Sequence, residues 1–186
     1  ALVITVVRKL RGASGSSRSS TVSVGEGSPF AVGDRVMAQD QGGFARFVTV
    51  DARRVAPVPA GFSQAQAAGV PLAFLTALYA FRDLARVRAG DKVLIHAAAG
   101  GVGMVAVQLA RWLGAEVYAT ASPSKWPVLR ELGVTELASS RDLGFAVQWK
   151  DAGIDVVLNA LAGGFVDASL GLLRPGGRFI EMGKTD

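Results

Sequence analysis

The sequence predicts an α/β fold whose larger part is a doubly wound parallel sheet, and two observations indicate it. From Gly90 onward, short strand patterns alternate regularly with segments that carry apolar residues at helical spacing. The strand patterns are also nearly continuous apolar runs, as expected for strands that are covered on both faces. Right-handed crossover connections between such strands place helices on both sides of the sheet.

Residues 1–62 are predicted to form part of a smaller, β-rich domain. Strand patterns cover three segments and a fourth is extended: Ala1–Val7, Val36–Ala38, Phe44–Val50 and Val55–Pro59. The segment Gly12–Ser28 is rich in glycine and serine and is predicted to be a loop.

Helical patterns begin at Ser63, where we place the start of a second domain, residues 63–186. Ser63–Ala68 and Leu72–Ala85 are predicted helices, with Ser63 as the N-cap of the first and Pro71 separating the two. The alternating elements then follow in chain order: strand Lys92–His96, helix Val102–Leu113, strand Glu116–Thr120, helix Lys125–Leu132, strand Asp155–Asn159, helix Phe165–Leu173 and strand Arg178–Met182.

Composition excludes several classes of function. The chain has no cysteine and one histidine, which excludes a disulfide framework and argues against a metal site. Its net charge is +5, but the basic residues are scattered and form no tract that would suit a nucleic acid. No membrane span or secretory signal is predicted, so we expect a cytoplasmic protein without nucleic-acid or membrane partners. Dispersed cations suit a small anionic ligand such as a nucleotide phosphate.

The strongest chemical signal is a glycine turn, Ala-Ala-Ala-Gly-Gly-Val-Gly, that follows a strand and opens a helix. Gly100 and Gly101 allow a pyrophosphate to approach the backbone, and Gly103 allows the helix to pack close to the sheet. The free N–H groups at the helix start, including that of Val102, attract the anion. Ala98 stands where a dinucleotide-binding motif usually has its first glycine. A Rossmann dinucleotide site is therefore predicted, the alternative being a turn that binds nothing.

The residues after the second strand of this sheet predict NADPH rather than NADH. An NAD site would place a carboxylate there to bind the ribose, but the sequence reads Ala-Thr-Ala-Ser up to Ser122. Ser122 and Lys125 instead offer a hydroxyl and an ammonium group to a 2′-phosphate, and Arg141 could add a second cation. The alternative is that Lys125 and Arg141 are ordinary surface residues.

Several motifs occur in an order that resembles a known family. They are, along the chain, Gly33–Met37, Phe74–Tyr79, His96–Gly103 with Val107–Ala110, Ala119–Ser122 with Lys125-Trp126, Ser139–Asp142, Val156–Asn159 with Leu161–Gly163, Gly176–Phe179 and Gly183–Asp186. From Phe30 onward, nearly the whole chain resembles the enoyl reductase domain of modular polyketide synthases and, less closely, that of animal fatty acid synthase.

The resemblance implies a zinc-free medium-chain dehydrogenase/reductase, with a partial GroES-like substrate domain before the NADPH-binding domain. In such an enzyme, NADPH reduces the trans-2-enoyl thioester carried on an acyl carrier protein, next to other domains of the same synthase. It also implies that Lys184, in the motif Gly-Lys-x-Asp, is the proposed proton donor. Thr76 and Asn159 would line the nicotinamide region, while Ser122, Lys125 and Arg141 would hold the 2′-phosphate.

The family's terminal segments are not found in this sequence, so we expect a fragment that is truncated at both ends and inactive alone. Two alternatives stay open. One is a quinone-oxidoreductase-like reductase of free small molecules, and the other is a non-catalytic structural element of a megasynthase. Lys184 could also be a surface lysine, and we interpret His96 as a packing residue with satisfied hydrogen bonds.

Overall fold

Two separate sheets organise residues 28–39 and 48–183, the part of the chain that this computed structural model describes. A parallel five-stranded sheet has the order β5-β4-β3-β6-β7, and an antiparallel pair is formed by β1 and β2. The strands are β1 Val36–Ala38, β2 Val55–Pro57, β3 Lys92–Ile95, β4 Glu116–Ala121, β5 Glu136–Ser139, β6 Ile154–Asn159 and β7 Leu173–Glu181. The helices are α1 Gln64–Leu78, α2 Gly101–Trp112, α3 Trp126–Glu131, α4 Gly144–Gln148 and α5 Gly164–Leu170. The predicted fold class is confirmed.

The chain divides into two compact units, Ala1–Leu72 and Ala73–Asp186. The first contains the β1-β2 pair and the second contains the parallel sheet. The domain limits 1–62 and 63–186 stay a prediction.

The predicted strands of the first unit are found only in part. Ala1–Val7 and residues 44–47 lie outside the described residues. Residues 48–50 have no strand pairing, so the last three residues of the predicted strand Phe44–Val50 are wrong. β1 pairs instead with β2, with Met37 opposite Ala56.

The capping of α1 confirms Ser63 as its N-cap. The Gln66 N–H donates to the Ser63 hydroxyl at 3.2 Å, and the Gln66 side-chain oxygen accepts the Ser63 N–H at 2.9 Å. This reciprocal pair is a capping box, which satisfies two N–H groups that the helix start would otherwise leave unpaired.

The predicted break at Pro71 is wrong, because α1 runs through it and continues into a π-helix at Tyr79–Leu84. A proline inside a helix removes one backbone hydrogen bond. Here apolar residues beyond the proline, including Ala77 and Phe81, are fully buried, and their burial outweighs the lost bond. The helical stretch Gln64–Leu84 is long and apolar enough, by length and composition alone, to cross a membrane, a test that core helices of soluble proteins also pass.

Side chains from β3 show that the parallel sheet is covered on both faces. Val93 and Ile95 belong to one apolar cluster with Phe81 and Leu129, whereas Leu94 belongs to the other. This alternation is the two-residue period of a strand. The neighbouring strand β6 is buried along its whole length, which explains the apolar run Val156–Leu158 at its centre.

The sequence prediction missed one strand of the sheet, β5, and one helix beside it, α4. β5 has four residues and α4 has five, and both lie between the predicted helix Lys125–Leu132 and the predicted strand Asp155–Asn159. Neither is long enough to show a clear period of its own. Their positions are fixed by tertiary contacts, since β5 pairs with β4 and Phe145 of α4 enters the second apolar cluster.

Replacing Phe145 by alanine should destabilise the protein strongly. Its ring is buried, packs edge-on against His96 at 5.1 Å and stacks on Phe165 at 6.1 Å. We expect Phe145→Ala to lower the free energy of unfolding by about 3–5 kcal/mol in urea titrations. Val147→Ala, on the same helix but 76% exposed, is the control and should change it by less than about 0.5 kcal/mol. Equal losses from both variants would show that α4 does not anchor this core.

Candidate functional site

The candidate site lies at the carboxyl ends of the five parallel strands. From β3 the chain proceeds through β4 to β5 on one side, and β6 and β7 lie on the other side of β3. The strand order therefore reverses between β3 and β6, which leaves a crevice at the carboxyl ends of these two neighbours. The glycine turn follows β3, Ser122 follows β4, Arg141 follows β5 and Asn159 ends β6. The topology thus brings these predicted site residues to one edge of the sheet.

The glycine turn has a tightly fixed backbone. Ala97 adopts a left-handed conformation with φ of 48°, which a residue with a side chain rarely takes. Its carbonyl accepts the Gly100 N–H at 2.8 Å, and the Met104 N–H donates to the Gly100 carbonyl at 2.9 Å. The three N–H groups of Gly101, Val102 and Gly103 precede the first intrahelical bond and point out of the helix start. Such groups attract an anion.

Two glycines of the turn have different steric requirements. A Cβ on Gly103 would lie 2.7 Å from the Cα and carbonyl carbon of Ala98, closer than packed atoms allow, because α2 touches the backbone of the turn. A Cβ on Gly101 would meet nothing within 4 Å. Gly103 is thus required by the packing of the helix, while Gly101 leaves open space at the helix start where a pyrophosphate could approach. Ala98 is buried beneath the turn.

His96 holds the base of this turn through a buried chain of hydrogen bonds. Its Nδ1 lies 2.8 Å from the Thr120 hydroxyl and its Nε2 lies 2.8 Å from the Ser169 hydroxyl. Ser169 donates its own proton to the Phe165 carbonyl at 2.6 Å, so it must accept from Nε2–H and leave Nδ1 to accept from Thr120. The interpretation of His96 as a satisfied packing residue is confirmed.

The cationic side chains lie on the β4 and β5 side of the crevice. The Lys125 N–H donates to the Ser122 carbonyl at 2.8 Å in a single 3-10 turn, and the Ser140 N–H donates to the Ala121 carbonyl at 3.2 Å. These bonds bring the loops after the two strands together. The side chains of Lys125 and Arg141 are exposed, and Ser122 is half-buried.

The acid beside Arg141 is already engaged in the protein. The Asp142 carboxylate accepts the Gly144 N–H at 2.9 Å, which lowers the pKa of that carboxyl, with a smaller contribution from Ser139. This bond fixes the loop that carries Arg141.

On the opposite side, Asn159 forms a network that sequence reasoning missed. It is fully buried, and its Nδ2 donates to the Leu161 carbonyl at 2.7 Å and to the Glu181 carboxylate at 2.6 Å. The other carboxylate oxygen of Glu181 accepts the Gly183 N–H at 2.5 Å. Both amide protons of Asn159 are therefore used within the protein. No pattern in the sequence around Glu181 predicts hydrogen bonds to Asn159 and Gly183. The available signal was the place of Glu181 just before the motif Gly-Lys-x-Asp.

The two remaining predicted site residues are Thr76 and Lys184. Thr76 lies half-buried on α1, one residue before the buried Ala77. Lys184 lies outside the described residues.

Comparisons with known proteins find a dehydrogenase family model, a polyketide synthase and an enoyl reductase. A family model described as zinc-binding dehydrogenase matches residues 101–186. The chain is 58% identical over 178 residues to the polyketide synthase GfsB of Streptomyces halstedii, an alignment that covers 94% of this chain and 3% of that protein. It is similar to the CurK enoyl reductase, with a TM-score of 0.82 and 46% identity over 84% of this chain and 49% of that one.

A third similarity is to a solved nucleotide-binding subdomain. The nucleotide-binding subdomain of the enoylreductase domain of PpsC from Mycobacterium tuberculosis matches with a TM-score of 0.59 and 45% identity, over 62% of this chain and 66% of that one. The chain thus spans a small part of the curated relative and about half of the CurK chain.

Placing a methyl group on Gly103 should destabilise the protein, whereas the same change at Gly101 should not. The new Cβ of Gly103→Ala would meet Ala98 at 2.7 Å, and we expect a loss of about 1–3 kcal/mol in the free energy of unfolding. Gly101→Ala, at the helix start with open space around it, should leave stability unchanged or slightly raised. Urea titration of both variants measures this. Equal stability would contradict the close approach of α2 to the turn.

Stability should fall on acidification because His96 is held neutral. Burial lowers the pKa of His96 from 6.5 to about 4, against the opposing charge of Glu181. Between these two pKa values, His96 binds a proton in the unfolded chain but not in the folded protein. The contribution of neutral His96 to stability is therefore complete above the pKa of the unfolded chain, and it is lost as the pH falls toward the pKa of the folded protein. The loss attributable to His96 should reach about 3 kcal/mol. Urea titrations of wild type and His96→Gln over this range test it, since the variant should lack this component.

Proposed function

Because this chain belongs to the enoyl reductase domains of modular polyketide synthases, we propose that it binds NADPH and takes part in enoyl reduction during polyketide chain extension. The observation that carries the proposal is the glycine turn at the switch point of the sheet. Its free N–H groups, and the space at Gly101, suit the pyrophosphate of a dinucleotide.

The preference for NADPH rests on the groups beyond β4. The strand ends without a carboxylate that could bind a ribose 2′-hydroxyl, and Ser122 and Lys125 follow it directly. The backbone bond between Ser140 and Ala121 brings the loop of Arg141 to the same strand end. Two exposed cations and a hydroxyl favour a phosphate there over an uncharged ribose.

The reaction we propose is the saturation of a trans-2-enoyl thioester carried on an acyl carrier protein. Held at the glycine turn, with its 2′-phosphate near Ser122, Lys125 and Arg141, NADPH would supply the hydride for the β-carbon. The electron pair of the double bond would then move toward the thioester, leaving the substrate as an enolate. Lys184, from the motif that follows β7, would then give a proton to the α-carbon. The products would be the saturated thioester and the oxidised cofactor. The other domains of the synthase would be partners, and we expect a cytoplasmic location.

We propose that this chemistry needs no zinc, although the matching family model is described as zinc-binding. The sequence contains no cysteine, and His96 is buried with both ring nitrogens hydrogen-bonded. Among the described residues, no cluster of three or more His, Cys, Asp or Glu side chains could hold a metal ion. The acyl thioester is therefore expected to be activated by hydrogen bonds or by a protonated side chain.

Binding of the two cofactors separates this proposal from a non-catalytic role. We expect Lys125→Ala and Arg141→Ala each to weaken NADPH binding about tenfold and to leave NADH binding unchanged, because each removes one charged contact with the 2′-phosphate. Lys150→Ala is the matched control, because Lys150 is exposed and pairs with Asp151 before the amino end of β6. Fluorescence titration of the full-length protein measures the dissociation constants.

The outcomes separate the alternatives. Folded protein that binds neither cofactor would leave only a structural role. Equal affinity for NADPH and NADH would overturn the assignment of the phosphate site. Reduction of free quinones in preference to enoyl thioesters would favour the quinone-oxidoreductase-like alternative.

A further inference from the structure

The side chain of Trp126 binds a backbone carbonyl that also holds a second loop. Its indole N–H donates to the Ala121 carbonyl at 3.2 Å. The Ser140 N–H donates to the same carbonyl, also at 3.2 Å. A carbonyl oxygen has two lone pairs, so these two bonds use its full capacity. The last residue of β4 thus joins the start of α3 to the loop after β5 through a single atom.

Trp126 also closes the turn that contains Lys125. The Trp126 backbone N–H donates to the Pro123 carbonyl, and the Lys125 N–H donates to the Ser122 carbonyl at 2.8 Å. Both bonds belong to the single 3-10 turn that follows β4. Trp126 therefore holds this turn through its backbone and ties it to the end of β4 through its side chain.

Packing fixes the indole ring in this position. Trp126 packs against the apolar cluster that contains Phe81 and Leu129, and the Arg130 guanidinium lies over the ring, 5.8 Å from its centroid. A phenylalanine would supply apolar contact of the same kind but no N–H group. The hydrogen bond to Ala121 is therefore the feature that distinguishes a tryptophan at this position.

The Ala121 carbonyl is the meeting point of the two segments that carry the candidate phosphate-binding cations. Lys125 directly precedes Trp126. Arg141 directly follows Ser140. Both cations are exposed, and water and salt screen exposed charges that lie more than about 8 Å apart. Two such cations can act together on one phosphate only while their segments stay close to each other.

We propose that Trp126 is a positioning residue, which keeps the turn after β4 and the loop after β5 together through the Ala121 carbonyl and so determines the preference for NADPH. The inference rests on the proposed function. Trp126 acts through the segments of Lys125 and Arg141. Loss of its N–H would loosen both segments, which concern the 2′-phosphate, and would leave the glycine turn after β3, which concerns the pyrophosphate, unchanged.

The test compares substitutions of two tryptophans in the full-length protein. Trp126→Phe keeps an apolar ring and removes the indole N–H. A second variant carries 3-benzothienylalanine at position 126, which keeps both fused rings and replaces the N–H by sulfur, so the hydrogen bond is tested even if Trp126→Phe fails to fold. Trp112→Phe is the matched control, because Trp112 ends α2 and is 79% exposed. Arg141→Ala and the double variant Trp126→Phe/Arg141→Ala complete a double-mutant cycle.

The expected result has a structural part and a binding part. Without any cofactor, hydrogen exchange of the Lys125 and Ser140 amides should become about tenfold faster in Trp126→Phe and stay unchanged in Trp112→Phe. In both variants at position 126, the dissociation constant of NADPH should rise about fivefold, as for the loss of one hydrogen bond, while that of NADH stays within about twofold of wild type. In the Arg141→Ala background the loss for NADPH should shrink to about twofold, because one of the two positioned cations is already absent.

Three results would overturn the proposal. The variants at position 126 could behave like Trp112→Phe, they could weaken NADPH and NADH binding equally, as a merely structural role would, or they could cause the same loss with and without Arg141. Each of these results, in a protein whose wild type binds NADPH, refutes the role of Trp126 alone. Failure of the wild-type protein to bind NADPH would instead refute the proposed function and this role with it, so the two failures are distinguishable.

Discussion

The structure depends on one close approach, that of helix α2 to the backbone of the turn after β3. Gly103 permits it, since any side chain there would enter the space of Ala98. The approach places the helix start directly beyond the central strand of the parallel sheet, where its free N–H groups face the crevice. It also requires Ala97 to adopt a left-handed backbone, which costs on the order of 1 kcal/mol. Strain at this place is tolerated only because the surroundings hold the turn.

The buried histidine supplies much of that support. His96 is the last residue before Ala97, and its ring links β4 through Thr120 and α5 through Ser169. A buried polar network is stabilising only when every member is satisfied, and here each ring nitrogen has a partner of matching polarity. The network therefore fixes the residue from which the turn starts. The apolar ring of Phe145 packs against the His96 ring. Packing and site geometry are coupled at this residue.

Sequence patterns predicted the parts of the fold in which local and tertiary preferences agree. β3, the glycine turn and α2 were found within one or two residues, because an apolar strand, a turn and a long amphipathic helix occur together. The continuous helix through Pro71 was not predicted, because burial of residues beyond the proline outweighed the helix-breaking tendency of the proline itself. The partners of Glu181 could not be predicted at all. They follow from the register of β6 and β7, which brings Asn159 opposite Glu181 and which no local pattern encodes.

The two sides of the crevice are built differently, and the difference has a physical basis. On the β4 and β5 side, Lys125 and Arg141 are exposed and lie in loops that short-range hydrogen bonds hold in place. Exposed cations suffice for a phosphate, because charge attraction tolerates small displacements. On the β6 and β7 side, Asn159 and Glu181 are joined by short hydrogen bonds that leave no amide proton free. Reacting atoms need fixed geometry more than net charge, so a preorganised network suits the end of the crevice where we propose that hydride and proton are transferred.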